Sequence, residues 1–437
     1  MKKYILALIY IAHLFIAGCS VAKQINLLAK NSVLNDTAFI SAHTGISIYE
    51  PATGKYLYNY QGDKYFVPAS NTKLLTCYAA MKYLGDSLVG LRYREKNNEI
   101  MIYGAGDPTF LHPDFTQQRV FDFLKNTNKQ IVLNNLSWKE RIWGAGWSWD
   151  DYSDYYMPER SALPVYGNIV RISNHVGDPV AVPSFFKNDI KIDSSLNRNL
   201  FPQTVKRDFL KNHFTITEGR PDEHYTETPF HTGDSLIIQL LNDTLHKSIT
   251  STKIPSDIGN LKVMELYSRP TDSMLKPLMH HSDNFFAEQT LLMVSQKLLG
   301  VMDDEKIIDT LLKTDFKDLP QKPYWVDGSG LSHYNLFSPQ DFIIILNKMK
   351  NNFGMDRIKS VMETGGTGTI KNYYKADSGF IYAKTGTLSG VVAFSGFLYT
   401  QKNKLLIFST MVNNHNSNST DIRRAIEKFI EEVRRRN

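Results

Sequence analysis

The sequence predicts an α+β protein, with an antiparallel sheet assembled from both ends of the chain, flanked by helices and interrupted by a large inserted domain. Three observations lead there. A β-hairpin is written near the N-terminus, and three strand-like runs follow one another near the C-terminus. The long stretch between residues 86 and about 265 fits neither that sheet nor a helical bundle.

The elements can be justified in order. Lys2 and Lys3 precede an apolar run of fourteen residues, Tyr4 to Ala17. That run is shorter than the roughly 20 residues needed to span a bilayer, and it has the layout of an export signal. It ends Leu14-Phe15-Ile16-Ala17-Gly18-Cys19, which resembles the bacterial lipobox. The resemblance implies cleavage before Cys19, lipidation of its sulfur, a membrane anchor and a place on the periplasmic side of the envelope. The chain holds two cysteines, Cys19 and Cys77. With Cys19 lipidated no internal disulfide remains, and Cys77 reads as a buried packing residue. Loss of Lys2 and Lys3 lowers the formal net charge from +6 to +4, a mild balance that does not call for a nucleic-acid partner.

Phe39 to His43 and Ile46 to Tyr49 read as a strand, Pro51 to Gly54 as a turn, and Lys55 to Tyr60 as the returning strand. Pro68 biases Val67 to an extended conformation. Ser70 is then placed to cap a helix carrying Leu74, Leu75, Ala79, Ala80 and Leu84, with Gly85 as its stop. A second strong helix runs from Phe285 to Leu299 and stops at Gly300. Phe380 to Thr385, Val391 to Leu398 and Leu405 to Val412 are the late strands. A final helix from about Asp421 carries Ile422, Ile426, Phe429, Ile430 and Val433 on one face. The expected division is a leader at 1–18, a first part of the sheet domain at 19–85, the insertion at 86–265, and the second part at 266–437.

Three short motifs carry chemistry. Ser70-Asn71-Thr72-Lys73 puts a hydroxyl and an amine three residues apart on one face, and a desolvated neutral lysine can activate a serine. Alone the spacing means little, because it recurs at Ser20/Lys23, Ser184/Lys187 and Ser273/Lys276. Ser282-Asp283-Asn284 precedes the second strong helix. Ala383-Lys384-Thr385-Gly386-Thr387 lies on a late strand, where Lys384 and Thr385 offer a cation and a hydroxyl to an anion. Gly386 there permits close approach of a substrate backbone. Adjacent His280 and His281 diverge on any regular element and have no third ligand in sequence, so no metal is expected. The glycine-rich loops at Asp327 to Ser332 and Gly365 to Thr369 lack the setting of a phosphate loop.

In this order the three motifs are those of the penicillin-recognising serine enzymes. Ser70 and Ser282 are 212 residues apart, far more than in a class A β-lactamase. The sequence resembles the low-molecular-mass class C penicillin-binding proteins, the D-alanyl-D-alanine carboxypeptidase/endopeptidase family. Gly104-Ala105-Gly106-Asp107-Pro108-Thr109, Gly146-Trp147-Ser148-Trp149-Asp150-Asp151 and Asp327-Gly328-Ser329-Gly330-Leu331-Ser332 also look like that family's, although Ala105 stands where its motif usually has glycine. The resemblance implies a β-lactamase/transpeptidase-like domain and a cofactor-free serine peptidase. Its substrates would be peptidoglycan stem peptides, and β-lactam antibiotics would acylate it. Ser70 would be the nucleophile and Lys73 its base; Ser282 would pass a proton to the leaving amine and Asn284 would hold the substrate amide. Lys384 and Thr385 would bind the terminal carboxylate, and the N–H groups of Ser70 and Thr387 would form the oxyanion hole. Trp147, Asp150 and Tyr155 would receive a diamino acid side chain. A serine β-lactamase is the alternative, but no Glu-x-x-Leu-Asn loop stands in a matching context.

Overall fold

The computed structural model describes residues 21–135, 138–173, 179–193, 204–217, 225–252 and 261–437. The leader, Cys19 and Ser20 of the Ser20/Lys23 pair lie outside these residues, as does the Ser195-Leu196-Asn197 repeat of the Ser-x-Asn spacing.

The hairpin forms as β1 (His43–Glu50) and β2 (Lys55–Tyr60). The stretch expected to open β1 does not extend it. The Asp36 carboxylate accepts a hydrogen bond from the Ala38 N–H and holds Thr37–Phe39 in a tight turn. Then comes α1 (Lys73–Tyr83), buried on all sides from Lys73 to Met81.

Beyond it the chain leaves the sheet. It builds β3 (Ser87–Lys96), β4 (Glu99–Gly104), α2 (Arg119–Asn126), β5 (Gln130–Leu133), β6 (Ile169–Ser173), β7 (Val180–Val182), β8 (Ile190–Asp193), β9 (Thr204–Arg207), β10 (Phe214–Thr217), β11 (Thr226–Pro229), α3 (Asp234–Leu245), β12 (Ile249–Ser251) and β13 (Met264–Pro270). These strands form a five-stranded sheet, β12-β5-β4-β3-β13, and two three-stranded sheets, β11-β6-β7 and β8-β10-β9. They share a core of their own around Leu91, Ile102, Leu163, Phe186, Phe214 and Phe230. Because β13 pairs with β3 as far as Pro270 opposite Ser87, the inserted sheet runs past residue 265.

Four helices follow: α4 (Thr271–His280), α5 (Asn284–Leu299), α6 (Asp304–Lys313) and α7 (Pro339–Val361). Each of the last three begins at a side-chain cap, from Asp283, Asp303 and Ser338. The chain then closes the sheet with β14 (Glu363–Thr364), β15 (Ile381–Leu388), β16 (Val391–Tyr399) and β17 (Leu405–Asn413), and ends in α8 (Ser419–Arg436). The order β14-β15-β16-β17-β1-β2 places both chain ends in one antiparallel sheet. One face of it packs on α1, α5 and α7 through Leu74, Phe286, Phe342 and Met411. The other is covered by the apolar stripe of α8, Ile422 to Val433, and by Ile25, Leu28 and Val33.

The inserted domain is fastened to the helices by buried polar contacts. Arg160, 1% exposed, meets Asp304 at 2.6 Å, Glu140 at 3.2 Å and Glu288 at 3.4 Å. The Gln289 amide donates to the carbonyls of Gly106 and Ser161. In the Gly104 to Thr109 loop the left-handed residue is Gly106, at φ +78°, so alanine at 105 costs nothing in backbone strain.

Candidate active site

Ser70 sits in a tight turn, Ala69–Thr72, just ahead of α1. It is not the helix cap expected from sequence; the capping position is Thr72, whose side chain makes no cap bond. The turn is imposed from outside. A Cβ on Gly330 would stand 1.8 Å from the Ala69 carbonyl oxygen, and Ala69 itself is left-handed at φ +47°. With its hydroxyl not committed to the helix, Ser70 faces Lys73 instead.

The Lys73 side chain is fully buried. Its Nζ lies 2.9 Å from Ser70 Oγ, 2.6 Å from Asn284 Oδ1 and 2.8 Å from the Ser329 carbonyl oxygen. Burial, with the Lys384 charge as a second cause, lowers its pKa to about 7, against the pull of Asp327, Asp283 and Glu288. In the neutral amine, Asn284 and Ser329 can each take one N–H, which turns the lone pair toward the Ser70 hydroxyl. That is the geometry of a general base.

The partners of Lys73 are themselves anchored. Asn284 opens α5 and donates its Nδ2 to the Tyr156 carbonyl at 2.9 Å, so the inserted domain touches the centre directly. Asp327 organises the glycine-rich loop that carries Ser329. Its carboxylate accepts from the Gly330 and Ser332 N–H groups at 2.8 and 2.6 Å and from Asn335 Nδ2 at 2.8 Å. The Glu288 carboxylate accepts from the Ser329 N–H at 2.7 Å. Sequence reading found this loop but missed its task, because a backbone carbonyl acting as a ligand for Lys73 leaves no side-chain signal.

Ser282 lies on the connection from α4 to α5 in the left-handed region, φ +57°, and lines the same cleft as Ser70, Asn284, Thr385 and Thr387. The cleft encloses about 810 Å³. Its far wall is β15. β14 pairs only with Tyr382 and Ala383, so among the described residues the edge of Lys384 to Leu388 on that side is unpaired. An extended peptide could lie along it.

Lys384 shares a face of β15 with Gly386, which packs on the turn that carries Ser70. Side chains alternate along a strand, so it points away from Thr385 and Thr387, is fully buried, and donates to the Thr385 carbonyl at 3.1 Å. Burial lowers its pKa to about 8, with Glu363 opposing. Its charge is also the second cause of the lowered Lys73 pKa. Gly386 is required by the protein's own backbone: a Cβ there would lie 2.6 Å from the Pro68 carbonyl oxygen and 3.1 Å from the Ser70 nitrogen.

The inserted-domain wall is placed in part as expected. Asp150 and Tyr155 line the cleft and are exposed, Tyr155 at 66%. Trp147 does not line it. Its indole N–H donates to Asp327 at 3.0 Å and its ring faces the Arg160 guanidinium at 5.6 Å, so it braces the glycine-rich loop from behind. The decoy serines 184 and 273 lie elsewhere, the first opening a tight turn before β8 and the second bonded to the Pro270 carbonyl at the start of α4.

Comparison with known proteins shows what the chain is similar to. A D-alanyl-D-alanine carboxypeptidase of Actinomadura sp. (strain R39) is 25% identical over 88% of this chain and 80% of its own. The D-alanyl-D-alanine carboxypeptidase DacB of Haemophilus influenzae is 21% identical over 82% of this chain and 83% of its own. The fold matches penicillin binding protein 4 (dacB) from H. influenzae with a TM-score of 0.71 at 18% identity, covering 94% of this chain and 98% of that one. The model of the D-Ala-D-Ala carboxypeptidase 3 (S13) family matches residues 28–433, and the chain belongs to that family.

Proposed function

We infer that the protein is a serine DD-peptidase that cleaves the bond between two D-amino acids in peptidoglycan stem peptides through a Ser70 acyl-enzyme. The observation that carries this reading is the Lys73 amine, buried, poised near neutrality and 2.9 Å from Ser70 Oγ. Ser70 attacks the carbonyl while Lys73 takes its proton. Ser282, across the cleft, passes a proton to the leaving amine. Asn284, already holding Lys73, borders the path of the substrate amide. The N–H groups of Ser70 and Thr387 stabilise the developing oxyanion. Water then releases the acyl group, and β-lactams follow the same first step. The terminal amino acid and the end of a cross-link present the same carboxylate beside the scissile bond, so carboxypeptidase and endopeptidase action share this machinery.

Asp150 and Tyr155 on the cleft wall support recognition of a diamino acid side chain by this enzyme. The leader supports export: Lys2, Lys3, the apolar run and Cys19 fit a lipoprotein anchored on the periplasmic side of the envelope. Cys19→Ala is then expected to leave the protein unlipidated, and unchanged membrane attachment and mass would refute the anchor.

The experiment for the enzyme is incubation with purified cross-linked and uncross-linked wall fragments, alongside fluorescent penicillin. Release of D-alanine or separation of cross-links, with a label that persists for many minutes, supports the peptidase. Rapid loss of the label with no cleavage of wall peptides points to a serine β-lactamase.

A further inference from the structure

Two successive peptide groups of the glycine-rich loop decide where the Ser329 carbonyl points. The first joins Gly328 to Ser329. Its carbonyl accepts from the Thr76 hydroxyl of α1 at 2.7 Å, and its N–H donates to the Glu288 carboxylate at 2.7 Å. The second joins Ser329 to Gly330. Its carbonyl accepts from Lys73 Nζ at 2.8 Å, and its N–H donates to Asp327 at 2.8 Å. A peptide group is planar, so a bond at both ends fixes its orientation. The loop also lies directly on α5, where a Cβ on Gly328 would stand 2.8 Å from the Ala287 carbonyl oxygen. That closeness brings the Ser329 N–H to Glu288, the next residue of the helix.

The Glu288 side chain is buried, and a carboxylate at such depth needs a countercharge. Arg160 of the inserted domain supplies it, 3.4 Å from the second Glu288 oxygen. Burial, then the Asp327 charge, raises the pKa of Glu288, while Arg160 and the Ser329 N–H oppose them. The charged groups that face Glu288 are thus Arg160, Asp327 of the loop and Asp304 of α6, with Glu140 on the far side of Arg160. Lys73 of α1 feels the Glu288 charge in turn.

We propose that Glu288 is a positioning residue for acylation: it aims the Ser329 carbonyl at the Lys73 amine, and Arg160 carries that alignment in from the inserted domain. The inference deepens the serine DD-peptidase reading above and rests on it. Glu288 acts in two separable ways. Its hydrogen bond to Ser329 sets the direction in which neutral Lys73 presents its lone pair, and so the acylation rate at high pH. Its negative charge favours the Lys73 ammonium, and so holds the acidic limb of that rate at a higher pH than the limb would otherwise have.

The test follows acylation by benzylpenicillin against pH in the wild-type protein, Glu288→Gln and Glu288→Leu. Both substitutions remove the charge, so the limb should move to lower pH in each. Gln can still accept from the Ser329 N–H and should keep most of the high-pH rate; Leu cannot, and should lose about tenfold. Arg160 retains Asp304 at 2.6 Å and Glu140 at 3.2 Å in either variant, and thermal unfolding checks that each is folded. A limb that stays in place in Glu288→Gln overturns the proposal, as does a high-pH rate in Glu288→Leu equal to the wild type. Equal losses of that rate in the two variants overturn it as well, because they would make Glu288 a packing residue. Should Glu288→Leu not fold, the limb of Glu288→Gln decides alone. Wild-type protein that benzylpenicillin does not acylate would instead overturn the DD-peptidase reading, and this inference with it.

Discussion

Gly386 on β15 packs directly against the turn that carries Ser70: a Cβ there would meet the Pro68 carbonyl oxygen at 2.6 Å and the Ser70 nitrogen at 3.1 Å. The contact sets the spacing between the nucleophile and the strand that faces it. Gly386→Ala should therefore push the two apart. The expected stability loss is that of a modest overpacking, about 1–3 kcal/mol. Acylation by penicillin should fall more steeply than that, since the strain concentrates on the Ser70 turn. Urea unfolding and acylation rates measured on the same preparation separate the two, and acylation left at the wild-type rate would refute the contact's importance.

The pH dependence follows from Lys73. It can accept the Ser70 proton only when neutral, and burial lowers its pKa to about 7. Acylation should rise about tenfold per pH unit up to that value and level off above it. Asn284→Asp would set a carboxylate where Oδ1 now lies, 2.6 Å from Nζ. An opposite charge favours the ammonium and raises its pKa, so the limb should move to higher pH and the rate at pH 7 should drop. A limb that stays in place, or moves down, would show that Lys73 does not control the profile.

How much of this could be seen in the sequence differs from residue to residue. The sheet drawn from both chain ends was legible because its strands alternate or run apolar between clear turns, and α5 was legible from its periodicity and Gly300. The three motifs were legible only jointly. The capping role expected for Ser70 failed because Gly330, 260 residues away, presses on Ala69 and converts a helix start into a tight turn. The face of Lys384 was legible, since a period of two puts it on one side of the strand with Gly386, which packs on the Ser70 turn. Ser329 could not have been found: its contribution is a main-chain oxygen, positioned by Asp327 and Glu288 through contacts that no local pattern encodes.

Asp150 and Trp147 belong to one short stretch and should behave differently. Asp150 is exposed on the cleft wall, while Trp147 is hydrogen-bonded to Asp327 behind it. Asp150→Asn should slow turnover of peptides with a free side-chain amine by roughly tenfold to a hundredfold. It should barely alter acylation by benzylpenicillin, which lacks that amine. Trp147→Phe keeps the ring but removes the bond to Asp327, so it should slow both by a similar factor. Steady-state turnover and penicillin acylation, measured side by side, check the pair. Equal losses for Asp150→Asn would make that residue structural.

The central claim is that Ser70, and no other serine, forms the acyl-enzyme. Intact-mass analysis after incubation with benzylpenicillin, followed by mapping of the modified peptide, tests it most directly. The account predicts one adduct on Ser70, its complete loss in Ser70→Ala with thermal unfolding nearly unchanged, and normal labelling in Ser184→Ala and Ser273→Ala. An adduct that persists in Ser70→Ala, or one that disappears with either of the other two serines, would contradict it.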